Sequence, residues 1–184
     1  MPIAIALIRG INVGGKHKLP MDLLRSLCED LGLRDVRTLI QSGNVVFRCR
    51  DGAAPGAASN LEAAIENRCG FRPSVVVRDH DELRRVLKAS PFEDHEALDP
   101  SRLLVMFLAD DPQRGARKAL AAFGPTPERI ALRGREAFLY FPNGIARSKL
   151  SMSAVEKALG VPATCRNWNT LKRLEALASE RPSP

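Results

Sequence analysis

The chain has 184 residues, 45% hydrophobic and 27% charged, with a formal net charge of +7. That balance excludes a disordered polymer, and the length suits one large domain or two small ones. The positive excess is even, 14 Lys/Arg against 10 Asp/Glu in residues 1–90 and 14 against 11 in residues 91–184, so it admits an anionic partner without marking a basic tail. Apolar runs such as Ile3–Ile8 and Leu103–Ala109 are strand-length, so no membrane association is expected. The first residues show neither a basic stretch nor a small-residue cleavage site, and a cytoplasmic location is the expectation. Cys28, Cys49, Cys69 and Cys165 stand far apart with no CxxC pair, which reads as reduced thiols rather than a zinc or redox motif.

Ile3–Ile8 is a continuous apolar run ending at Arg9-Gly10, as in a buried central strand. Gly14, Gly15 and Pro20 keep the next stretch irregular, and a helix is predicted from Pro20-Met21 through the stripe of Leu23, Leu24, Leu27, Cys28 and Leu31. Val36–Ile40 and Val45–Arg48 read as strands joined through Gln41-Ser42-Gly43-Asn44. Asp51–Ser59, rich in Ala, Gly and Pro, reads as a flexible loop, with Asn60 capping a helix that runs to Gly70. Ser74–Arg78 is the fourth strand, and Asp81–Ala89 adds a helix.

After a connection from Pro91 to Pro100 the order repeats. Leu103–Ala109 is a strand, Gln113–Phe123 a helix, and Arg129–Arg133 with Ala137–Phe141 a hairpin through Gly134-Arg135. Ser151–Leu159 is a helix capped by Ser151 and closed by Gly160. Ala163–Asn167 is the last strand and Thr170–Ser179 the final helix. The expected fold class is therefore α+β: two tandem ferredoxin-like (βαββαβ) units, each with an extra C-terminal helix, packed into one compact protein. The expected domains are residues 1–90, carrying the glycine-rich basic loop, and residues 91–184.

Arg9-Gly10-Ile11-Asn12-Val13-Gly14-Gly15-Lys16-His17-Lys18 is the most informative stretch. Gly10, Gly15 and Lys16 satisfy G-x-x-x-x-G-K, but His17 stands where a P-loop needs Ser or Thr for magnesium, and Pro20 opposes a helix starting at Lys16. A weaker anion-binding role survives, with N–H groups converging where glycines curl the backbone and Arg9, Lys16 and Lys18 adding charge. The competing reading is a crossover that packs on the sheet with solvated lysines.

Arg9–Lys16, Ile40-Gln41-Ser42-Gly43-Asn44-Val45-Val46-Phe47 and Arg166-Asn167-Trp168-Asn169-Thr170, in that order, resemble the bacterial family catalogued as domain of unknown function 1697. Asn143-Gly144-Ile145-Ala146-Arg147-Ser148-Lys149-Leu150 fits the same pattern, and the resemblance runs from Ile3 to about Leu174. It implies a cytosolic protein with the tandem ferredoxin-like fold, and it carries no activity and no catalytic residue.

Candidate ligand-binding residues are Arg9, Asn12, Gly14, Gly15 and Lys16 in the loop, Gln41, Ser42 and Asn44 in the turn, Arg147 and Lys149 after the seventh strand, and Asn167, Trp168 and Asn169 near the end. The connection holding Arg147 and Lys149 is expected at the same sheet end as the first-strand loop, with Gln41–Asn44 and Asn167–Thr170 at the opposite ends of their units. Trp168 suits either base stacking or a core edge, with Asn169 or Thr170 capping the final helix. Sheet-face RNA binding lacks its aromatic signature, since Ile3–Ile8 and Val45–Arg48 are aliphatic except for Phe47. His17, His80 and His95 show no HxH or HExxH spacing, so no metal and no cofactor is implied. No G-x-S-x-G elbow occurs, and Cys28 falls on an apolar helix stripe. Three readings follow: a binder of an anionic small molecule or nucleic-acid backbone, a protein-interaction or assembly module using a sheet edge, and an enzyme of unrecognised type.

Overall fold

In the computed structural model, residues 1–50, 52–92 and 94–180 are described. They form two four-stranded antiparallel sheets and six α-helices, a mixed α+β fold. The elements are β1 (Ile3–Ile8), α1 (Met21–Asp30), β2 (Arg34–Leu39), β3 (Asn44–Arg48), α2 (Ala54–Cys69), β4 (Val75–Asp79) and α3 (His80–Lys88). Then come β5 (Leu103–Leu108), α4 (Ala116–Ala121), β6 (Arg129–Arg133), β7 (Glu136–Tyr140), α5 (Met152–Leu159), β8 (Ala163–Asn167) and α6 (Trp168–Ser179). The sheets are ordered β2-β3-β1-β4 and β6-β7-β5-β8. Two compact units result, Met1–Arg85 with the chain from Lys172 onward, and Val86–Leu171.

In the first unit the strands alternate. Ala4, Ala6 and Ile8 of β1 join Val45, Phe47 and Val75 against Leu24, Leu27 and Cys28 of α1 and Leu61 and Ile65 of α2. Ile5 and Leu7, on the other face, are also buried, which accounts for the unbroken apolar run. In the second unit Met106, Leu108, Ala137 and Leu139 pack with Leu120 of α4 and Val155 and Leu159 of α5.

The stretch expected to be a loop before Asn60 is helical from Ala54, with a proline in its first turn. Alanines favour helix, and Ala57 and Leu61, one turn apart, reach the same core, so Asn60 is an exposed interior residue rather than a cap. The helix expected over Gln113–Phe123 begins only at Ala116, because Gly115 sits at φ 89 ahead of it. Ser151 does cap α5, its side chain accepting from Ala154 N, and Gly160 closes that helix in the left-handed region.

Candidate functional site

Strand register decides which motifs meet. β1 and β3 are antiparallel neighbours with Leu7 opposite Asn44, so the chain leaves β1 and enters β3 at one end of the sheet. The first-strand loop and the Gln41–Asn44 turn therefore lie together, contrary to the expectation that they occupy opposite ends. In the second unit Leu103 pairs with Tyr140 and Leu104 with Asn167, so the connection after β7 and the start of α6 share an end. That is the end of β5 where the strand begins, whereas the first-strand loop leaves β1 where it finishes. The expected grouping is thus reversed for the Arg147–Lys149 segment as well.

The loop has a fixed base and an exposed tip. Ile11 and Leu19 are buried at its two ends. Between them, the Asn12 amide donates to Leu19 O (2.9 Å) and Gln41 O (3.0 Å), while its Oδ1 accepts from Leu19 N (2.8 Å). Asn12 N donates to His17 O and Lys16 N to Val13 O, which closes a small hairpin around Gly14-Gly15. Both glycines have positive φ, 59° and 75°, a geometry that side chains rarely adopt and that this tight turn requires. A Cβ at either would meet nothing within 4 Å, so the space above the turn is open. The His17 ring stacks on Phe71 with centroids 4.6 Å apart.

The turn is locked to the loop from below. Ile8 N donates to Gly43 O, and a Cβ on Gly43 would come within 2.9 Å of both Ile8 and Ile11. Asn44 is fully buried, its amide donating to Leu39 O and to the Ser42 hydroxyl. Ile40 stands at φ 51 although β-branched, a strained conformation on an exposed residue.

An open cleft of about 550 Å³ lies at this end, lined by Asn12, Gly15, Lys18, Leu19, Asp22 and Gln41 among others. Lys16 and Lys18 are exposed, and neither ammonium group has a partner among the described residues, nor do the backbone N–H groups of Gly14 and Gly15. Asp22, the acidic wall, is paired with Arg25. α1 begins only at Met21, so no helix N-terminus stands behind Lys16 as phosphate-hydrolysing P-loops demand.

The candidate residues thus separate by role. Arg9, Gly14, Gly15, Lys16 and Gln41 are exposed at one end of the first unit, with Ser42 half-buried beside them. Asn12 and Asn44 have amides committed to backbone and hydroxyl partners, which makes them positioning residues. Arg147 and Lys149 are exposed in the second unit, the former closing the single turn Ile145–Arg147. Asn167 caps α6 by accepting from Asn169 N and donates to Ser101 O, so the capping residue is Asn167 rather than Asn169 or Thr170. Trp168 is 4% exposed, edge-on to His95 and tilted against Phe138.

Two features escaped the sequence reading. Lys18 lines the cleft as well as adding charge, and the apolar pair Ile11 and Leu19 bracketing the loop is the sequence sign that its base is anchored. Buried arginines occur at matching registers of the last strands, Arg78 opposite Ile5 and Arg166 opposite Val105. The Arg166 guanidinium bonds Thr164 Oγ1 and Cys165 O, and burial lowers its pKa to about 10. Cys28 is also buried, and desolvation raises its thiol to about 12, which removes nucleophilic character at neutral pH. Among the described residues no group of three or more His, Cys, Asp or Glu is placed to hold a metal ion, and no helix is long and apolar enough to cross a membrane.

A family model described as "Protein of unknown function (DUF1697)" matches residues 1–138. The chain belongs to that family. The DUF1697 match takes in the glycine-rich loop and the Gln41–Asn44 turn, and it ends before Asn143–Leu150 and Arg166–Thr170. No curated protein matches the chain. Among solved structures, the conserved bacterial protein SP0830 from Streptococcus pneumoniae is similar at 24% identity and a TM-score of 0.69, over 97% of this chain and 99% of that one. At that identity the likeness speaks for the fold alone.

Proposed function

We propose that this DUF1697 protein binds a phosphate-bearing or otherwise anionic ligand at the end of its first unit, on a scaffold of two tandem ferredoxin-like units. The scaffold reading is supported by the βαββαβ order of each unit and by the matching sheet orders β2-β3-β1-β4 and β6-β7-β5-β8. The observation that carries the binding reading is the pre-set Gly14-Gly15 turn. Its N–H groups, unpartnered among the described residues, are followed directly in the chain by exposed Lys16 and Lys18, above a loop base fixed by Asn12. Donors held in place before binding lose little conformational freedom when a phosphate arrives. The left-handed conformations of Asn12, His17 and Ile40 in this same loop and turn add a second support, since strain of this kind gathers at functional positions.

Thermal denaturation against phosphate, pyrophosphate, tripolyphosphate, nucleotides and short oligonucleotides tests it. A ligand at one hundred times its Kd adds about 2.7 kcal/mol, or roughly 5–10 °C for a chain of this size. Lys16→Ala with Lys18→Ala removes the shift. No shift with any anion would sink the proposal, and the responding members of the panel separate small phosphates from a nucleic-acid backbone.

A further inference from the structure

The outer edge of the second sheet carries a separate feature. Among the described residues the backbone ladder of β6 is made with β7 alone, so its other side is an open edge. The corresponding edge of the first unit, β2, is blunted: its register shifts between Arg34 and Arg37, with Asp35 at φ 50. Such a bulge turns an edge away from pairing. β6 has none, and its five residues pair with β7 without a shift.

The hairpin fixes which groups face outward. Arg133 and Glu136 close a two-residue turn over Gly134-Arg135, so Arg133, Ala131 and Arg129 direct their backbone bonds at β7. The N–H and C=O groups of Ile130 and Leu132 then point to the open side. Beside that edge runs a groove of about 470 Å³, floored by Leu120 and Phe123 with Ile130 and Leu132. It shares Arg117 and Leu132 with a second hollow of about 430 Å³ that extends past Gly134. Arg117 and Arg133 are exposed on its rim, without a partner among the described residues. Two acidic residues line the hollows: Asp111, exposed in the second, and Glu128, which accepts from the Ser148 hydroxyl at 2.5 Å, a bond that holds its carboxyl below the usual range.

We propose that this edge docks an extended acidic segment of another protein by strand addition. Outward backbone groups supply the ladder, alternate apolar side chains enter the groove, and carboxylates meet Arg133 and Arg117. A second copy brings no carboxylate to this edge. Antiparallel pairing of β6 with β6 about Ala131 sets Arg133 of one copy opposite Arg129 of the other, which is already ion-paired with Asp94 at 2.8 Å. The exposed Arg133 therefore gains no acidic partner there.

Two fluorescein-labelled ten-residue peptides, one alternating Glu and Val and one alternating Lys and Val, test this by anisotropy with the full chain. The acidic peptide is expected to bind saturably and at least about tenfold more tightly than the basic one. Ile130→Pro removes an outward N–H and leaves the β7 ladder intact, and it is expected to weaken binding about tenfold. Arg133→Glu, an exposed change, is expected to reverse the charge preference, and the Ile130 and Leu132 amides are expected to gain exchange protection in the complex. No saturable binding of the acidic peptide, or binding untouched by both substitutions, would overturn the proposal. So would a dimer in light scattering that Ile130→Pro dissolves, since the edge would then serve self-association.

Discussion

Asn12 offers the sharpest test of how the loop is held. Its amide makes three hydrogen bonds of 2.8–3.0 Å, two to Leu19 and one to Gln41, at φ 57. Each such bond contributes about 0.5–1.5 kcal/mol net, and one of the three is solvent-exposed, so losing all of them costs roughly 2–3 kcal/mol. Asn12→Gly shows that loss alone, because glycine accepts the left-handed backbone freely. Asn12→Ala adds about 1 kcal/mol of backbone strain. Urea unfolding of the two variants beside the parent is expected to rank parent above glycine above alanine. For a chain of this size the glycine variant is expected to melt roughly 4–12 °C lower. If both variants stay within about 0.5 kcal/mol of the parent, as ordinary surface changes do, the anchored loop base is refuted.

Gly43→Ala combines positive φ with approaches of 2.9 Å to Ile8 and Ile11, and is expected to cost about 3 kcal/mol by denaturant titration. Ile40→Asn works the other way: at φ 51 on an exposed residue, relief of strain is expected to raise stability by about 1 kcal/mol in the same assay. The Cys28 thiol, raised from 9.0 to about 12 by burial and then by Glu29, keeps a proton that the unfolded chain gives up above pH 9. Folding stability is therefore expected to fall as pH rises from about 9 toward 12, with a shallower slope in Cys28→Ala. At pH 8, Cys28 alkylation in the native protein is expected to be far slower than in urea.

The strands and most helices were legible because apolar periodicity and glycine stops act locally. Ile3–Ile8 and Ala163–Asn167 needed nothing else. The start of α2 was not legible, since Ala, Gly and Pro at residues 53–57 read as a loop until Ala57 is seen to reach the core. The site was half legible. Glycines and lysines marked the tip at residues 14–18, but Asn12 and Asn44 look like ligand contacts until register brings Leu19, Gln41 and Leu39 against them. Which loops share an end was implied by the expected βαββαβ order itself. β1 and β2 run parallel across the α1 crossover, so the β2–β3 turn falls where β1 finishes, and the opposite-end expectation misjudged that topology. For Asn167 and Trp168, the cap and the core contact depend on Ser101 and His95, far away in the chain.

Phosphate binding at the Gly14-Gly15 turn is tested most directly by titrating the ¹⁵N-labelled protein with tripolyphosphate and following each backbone amide. Saturable shifts centred on Gly14, Gly15, Lys16 and Lys18, and lost in Lys16→Ala with Lys18→Ala, are the expected result. Spectra that do not change, or shifts confined to Arg147 and Lys149 in the second unit, would contradict it.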